Sequence, residues 1–110
     1  PGAGSITIAA PFASATEITA NATLDSTHIG RWIRGNHASV NITLAINTGV
    51  LAAGDEIYIE QAGAAKVLVS GNATIRKPAT RSAETNEQYS VIGVKAVSAS
   101  EVVLFGDLKP

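Results

Sequence analysis

The sequence predicts an all-β fold, an antiparallel sandwich or barrel of about seven to eight short strands. Three observations predict it. Val, Ile and Thr supply 30 of the 110 residues while Leu supplies six, and β-branched side chains fit a pleated surface and lose rotamer freedom in a helix. Apolar residues alternate with polar ones in run after run, the period of a strand with one buried face. Gly, Asn, Asp and Ser clusters punctuate those runs at short intervals.

Taken in order, residues 1–25 form an N-terminal arm or linker, and residues 26–110 the β domain proper. The arm has one short β run, Ser5 to Ala9, among Ala, Ser and Thr filler. It reads as an edge strand, an arm reaching a neighbour, or the tail of a linker. In the domain, Ile29, Arg31 and Ile33 oppose Gly30, Trp32 and Arg34, and Val40, Ile42, Leu44 and Ile46 oppose Asn41, Thr43 and Ala45. Ile57 and Ile59 oppose Glu56, Tyr58 and Glu60. Gly71-Asn72, between "KVLVS" and "ATIRK", carries a hairpin signal because both residues tolerate positive φ. Ser90, Ile92, Val94 and Ala96 then alternate with Tyr89, Val91 and Lys95, and Val103 and Phe105 with Val102 and Leu104. "TGVLAAG" is long enough for a helical turn but not for a change of class. No internal repeat emerges, although Asn-Ala-Thr occurs at both 21 and 72.

Composition narrows the function classes. The formal charge is −1 and 15% of residues are charged, against about 25% in a typical domain. Nucleic acid, which asks for a basic face, is not an expected partner. No apolar run reaches membrane-spanning length, so no membrane insertion is expected. With no Cys there are no disulfides and no thiol catalysis. Five aromatics and 19 Ala make for small buried areas per residue, which predicts that part of the core burial comes from other copies of the chain. The opening Pro1-Gly2-Ala3-Gly4 and the lack of Met read as a processed chain or a domain of a longer protein.

The chemistry-bearing residues form no reactive pattern. Asn21, Asn41 and Asn72 each begin an Asn-x-Thr triplet, the acceptor pattern for N-glycans. Turns favour Asn and strands favour Thr, which generates the same triplets without a glycan. His28 and His37 flank "IGRWIRGN", but a metal would need a further ligand, and Asp25 is the only nearby acid. No G-x-S-x-G turn presents a serine nucleophile. Asp55, Glu56, Glu60, Glu84 and Glu87 have no spacing that marks a glycosidase pair, and Glu56 and Glu60 read as the solvated face of a strand. No catalytic residue, metal ligand or cofactor is assigned.

Trp32 between Arg31 and Arg34 is the most informative cluster. An exposed Trp beside guanidinium forks grips sugars or anionic polymers through ring stacking and charge-assisted hydrogen bonds; the same residue could instead cap the barrel end or pack on a neighbouring subunit. Arg76, Lys77 and Arg81 form a second basic group, for which pairing with Glu84 and Glu87, within the loop or across a subunit boundary, is the economical expectation.

Over residues 27–108 the segments "THIGRWIRGN", "SVNITLAI", "GDEIYIEQAGAAKVLVSGNATIRKP" and "NEQYSVIGVKAVSASEVVLFGDL" resemble a small β domain that recurs in bacteriophage virion fibre proteins. The shared order is a strand with Arg and Asn near its end, a Val/Thr/Ile strand, and a Gly-led strand running into Glu60 to Gly63. A Val-rich hairpin, a strand carrying Gln88 to Ser90, and a closing strand with Gly106 to Leu108 follow. The charged "RSAETN" loop departs from the pattern. The resemblance implies a non-enzymatic tail-fibre or tail-tip domain of the virion, a homotrimer joined to the rest of the fibre or capsid, whose loops bind a bacterial surface receptor, a glycan. On that reading Trp32 stacks, Arg34 anchors charge, and Asn36 and His37 supply hydrogen bonds. The alternative is a structural head-fibre or capsid-decorating module without receptor contact. A hydrolase acting on envelope polysaccharide is the third and remotest reading.

Overall fold

The structure is a computed structural model and describes residues 15–110. The β run expected at Ser5 to Ala9 lies outside the described residues. The fold is all-β, with nine strands and one short 3-10 turn among the described residues. The strands are β1 (Thr16–Ile18), β2 (Ala22–Thr23), β3 (Trp32–Gly35), β4 (Ile42–Ala45) and β5 (Glu56–Gln61), followed by β6 (Val67–Ser70), β7 (Thr74–Arg76), β8 (Val91–Ala96) and β9 (Glu101–Gly106). Thr16 to Thr23, assigned from sequence to the arm, thus supply β1 and β2.

The predicted antiparallel arrangement is corrected. The sheets are mixed and mostly parallel. One sheet has the order β1-β3-β5-β8-β9-β7 and the other β2-β4-β6. From β1 to β6 successive strands alternate between the two sheets, so the chain winds as a solenoid of three turns. Each strand therefore returns beside its predecessor in the same direction: β1 with β3, β3 with β5, β2 with β4 and β4 with β6 are all parallel. Among the named strands only β5 with β8 and β8 with β9 are antiparallel, and β7 runs parallel to β9. Alternation reports which side of a strand is dry, and it is the same for either strand direction.

The turns of the solenoid are locked by asparagines at the two corners that flank the small sheet. Asn21 Oδ1 accepts the Thr43 backbone N–H at 2.8 Å, and one turn on Asn41 Oδ1 accepts that of Lys66 at 2.9 Å. Asn72 Oδ1 likewise takes Thr48 N–H at 2.7 Å, and Asn47 Oδ1 takes Asn72 N–H at 3.1 Å. The asparagine of each Asn-x-Thr triplet thus has a hydrogen-bonding role at a corner. The repeat escaped notice in the sequence because its spacing is uneven: Ile33 pairs back to Thr16 but forward to Ile59.

Gly71-Asn72 is not a hairpin, a second correction. Gly71 does adopt φ +118, but the chain there turns a corner. It leaves β6 in the small sheet and enters β7 in the large one. The "TGVLAAG" segment forms hydrogen-bonded turns and no helix. Residues 88–90, read as part of a strand, lie in a turn closed by Ser90 N–H to Glu87 O at 3.0 Å, with Tyr89 at φ 71.

The alternation places most of the inner face correctly, although Val40, grouped with Ile42 and Leu44, lies 61% exposed in the loop before β4. Ile33, Ile42, Leu44, Ile57, Ile59, Val67, Ile92, Val94 and Leu104 are all 0–1% exposed, and burying each such side chain is worth about 1.5–3 kcal/mol. This core closes within one chain; the expected contribution from sister copies is not needed to dry it. The β6 edge of the small sheet is covered by residues 83–85, through Val69 N–H to Ala83 O and Thr85 N–H to Val67 O.

Candidate functional site

The large sheet turns its second face outward, and the strand register decides what gathers there. Trp32 on β3 pairs with Tyr58 on β5, Tyr58 with Gly93 on β8, and Gly93 with Phe105 on β9. All four stand opposite in parity to the buried Ile33, Ile57, Ile59, Val94 and Leu104, so they form one row across four strands. The Trp32 and Tyr58 rings stack with centroids 6.1 Å apart and planes 20° from parallel. Phe105 meets Tyr58 at 6.4 Å and 87°. Gly93 permits this: a Cβ there would lie 2.2–2.8 Å from three Phe105 ring carbons, so the ring covers the glycine backbone. Phe105 remains 41% exposed.

Charged residues collar the row. Glu60 Oε1 accepts from Trp32 Nε1 at 2.9 Å and from Arg34 Nε at 3.1 Å. Glu56 accepts from the Tyr58 hydroxyl at 2.9 Å and from Lys95 Nζ at 2.8 Å. The Lys95 hydrogen bond, followed by that from Tyr58, holds the Glu56 carboxyl below the usual carboxylate range. In return the bond to Glu56 raises the Tyr58 phenol and the Lys95 ammonium above their usual values.

The signs follow from linkage. Glu56, depressed in the fold, contributes stability above its unfolded value, lost as the pH falls through its folded one. Tyr58, raised, contributes below the ordinary phenol value, and this is lost as the pH rises through the folded one. With Tyr89→Phe as background, so that Tyr58 alone reports, Glu56→Gln moves the phenolate absorbance rise to lower pH. An unchanged titration would mean that the carboxylate is not what holds the phenol.

The four residues singled out from the sequence separate into two places. Trp32 and Arg34 belong to the row and its collar. Asn36 and His37 lie in the corner loop after β3, where His37 O accepts the Ala65 N–H at 3.0 Å. His37 Nδ1 accepts the N–H groups of Ser39 and Val40 at 3.1 and 2.9 Å. It borders a shallow cleft of about 220 Å³ with Thr19, Asn21, Val40 and Ile42. His28 closes the 3-10 turn with Asp25, whose N–H it accepts at 2.9 Å. Among the described residues no three His, Asp or Glu side chains cluster in a way that would hold a metal. Within the chain the "RKPATR" loop does not pair with Glu84 and Glu87: Arg76 pairs with Glu101 at 3.5 Å and Glu84 with Lys109 at 3.6 Å.

Sequence reasoning missed Tyr58, Gly93 and Phe105 as members of the site. Their parity was readable, but nothing in the sequence places β3, β5, β8 and β9 side by side. No family model, curated protein or solved structure matches this chain.

Proposed function

We propose that this chain is a non-enzymatic, homotrimeric module of a bacteriophage virion fibre that binds a bacterial surface receptor, a glycan. The observation that carries the reading is the outward row Trp32, Tyr58 and Phe105, with Arg34 and Glu60 at its rim. Aromatic faces stack on the apolar faces of sugar rings, and charged side chains at the rim hydrogen-bond their hydroxyls. A rigid sheet suits the role because the contact residues need no ordering on binding. The resemblance to virion fibre domains supports the same reading. Glu56, Glu60 and Glu101 on this face are engaged in ion pairs, the work of structural rather than proton-transferring groups. Val40 in the corner loop and Val97 in the β8–β9 turn, 61% and 49% exposed, offer apolar contacts to neighbouring copies in a trimer.

Cell labelling tests the proposal. A fluorescent form of the domain labels susceptible bacteria, and Trp32→Ala, checked as still folded by circular dichroism, lowers that labelling about tenfold. A domain that labels no strain to which the parent particle adsorbs would remove the receptor reading and favour the structural module. Light scattering at micromolar concentration gives three times the chain mass; a monomer would remove the trimer.

A further inference from the structure

We infer that the glycan taken by this face is uncharged, a short neutral oligosaccharide laid across β3, β5, β8 and β9. The inference rests on the receptor-binding reading above and specifies its chemistry.

Shape comes first. The apolar row is one residue wide on β3 and β5 and broadens only by Val91 on β8 and Val103 on β9. On one side lie Arg34, Glu60 and Val91 in register, and on the other Glu56, Lys95 and Val103. Across four strands at about 4.7–4.9 Å spacing the row runs roughly 14 Å. A stable protein partner needs about 800 Å² per side, far more than so narrow a strip supplies. An extended chain of sugar rings fits it. Phe105 over Gly93 provides a floor, and Tyr58, nearly perpendicular to it, a wall. Glu56 and Glu60 border the strip, and each carboxylate has about four lone-pair sites, so acceptors for hydroxyl groups stand on both sides.

Charge decides the class of glycan. The charged residues on the outward face of the large sheet's strands are Glu17, Glu56, Glu60 and Glu101 against Arg34, Arg76 and Lys95. Each of the three cations sits on an acid of the same face: Arg34 on Glu60 at 3.1 Å, Lys95 on Glu56 at 2.8 Å, and Arg76 on Glu101 at 3.5 Å. Glu17, in register with Arg34, leaves the acids in excess. A polyanion would meet no net attraction and would have to displace these pairs. A neutral sugar leaves them in place and uses their outer lone pairs.

Trp32 is the only tryptophan, so its fluorescence reports binding at the row directly. The full 110-residue chain is titrated with neutral gluco- and manno-oligosaccharides, oligogalacturonate and heparin oligosaccharides. Glycan preparations from a labelled host strain, separated into neutral and anionic fractions, complete the panel. The expected result is a fluorescence change with a neutral sugar or the neutral fraction, its affinity varying less than about twofold between about 50 and 500 mM salt. Phe105→Ala and Tyr58→Ala each weaken it about tenfold in protein whose circular-dichroism spectrum shows it still folded under the assay conditions. Binding confined to the anionic fraction and lost in salt overturns the neutral assignment while the receptor reading stands. Binding unaffected by Phe105→Ala places the ligand on another face and overturns the inference. So does a concentration-dependent mass that Phe105→Ala abolishes, which would make a second copy the occupant. A domain that labels no host ends both readings.

Discussion

Gly71→Ala lowers the unfolding free energy by about 3 kcal/mol or more, whereas Gly54→Ala costs about 1 kcal/mol. The contrast isolates the cause. Both glycines have positive φ, +118 and +94, so both substitutions strain an L residue. A Cβ on Gly54 meets nothing within 4 Å, but one on Gly71 would lie 2.1 Å from Ile46 O and 2.5 Å from Ile46 N. Those are backbone atoms at the end of the small sheet, where Ile46 N–H is bonded to Ser70 O at 2.8 Å. Relief of the clash must therefore move the corner between β6 and β7, and with it the entry of β7 into the large sheet. Urea denaturation of the two variants reads the difference; equal midpoints would show that the corner yields freely.

Thr85→Val costs about 2–4 kcal/mol, the sum of leaving two buried polar groups unpartnered. Thr85 is fully buried and Gln61 is 1% exposed. The Thr85 hydroxyl donates to Gln61 Oε1 and accepts the Val67 N–H at 3.0 Å. Gln61 Nε2 in turn donates to the carbonyls of Gly63 and Ala64 at 3.1 and 3.2 Å. The network ties the end of β5, the following corner and the strand-like segment along β6 into one unit. Valine matches threonine in shape, so no cavity contributes to the loss. Gln61→Leu in the Thr85→Val background costs less than it does alone, because the Oε1 acceptor and the hydroxyl vanish together. A double-mutant cycle with additive losses would show that the two side chains are energetically independent.

Much of the fold was legible in particular residues. Ile57, Ile59, Val94 and Ile42 were placed on one side of their strands by alternation, and all four are buried. Trp32 and Arg34 were picked out together and do share a face. Asn36 and His37 were picked out with them because they are adjacent in sequence, but the chain turns a corner after Gly35 and carries them off the sheet. Glu56 and Glu60 were read as a solvated face, and they do face outward, each bound to a cation. Tyr58 and Phe105 sat in plain view as outward members of their runs. Their meeting depends on Gly93, whose missing side chain lets Phe105 reach across β8, and no local pattern announces that contact.

By itself the sequence determined that strands form, which side of each is apolar, and where the chain bends. These are local properties: the pleat sends successive side chains to opposite sides whatever lies next door, and Gly, Asn and Ser favour turns by their own backbone energetics. The tertiary structure alone decided that the strands wind as a solenoid, that most neighbours run parallel, and that four strands bring three rings into one row. Strand partners are chosen by backbone hydrogen bonds that every residue can make, so the choice falls to how all the apolar faces close one core together.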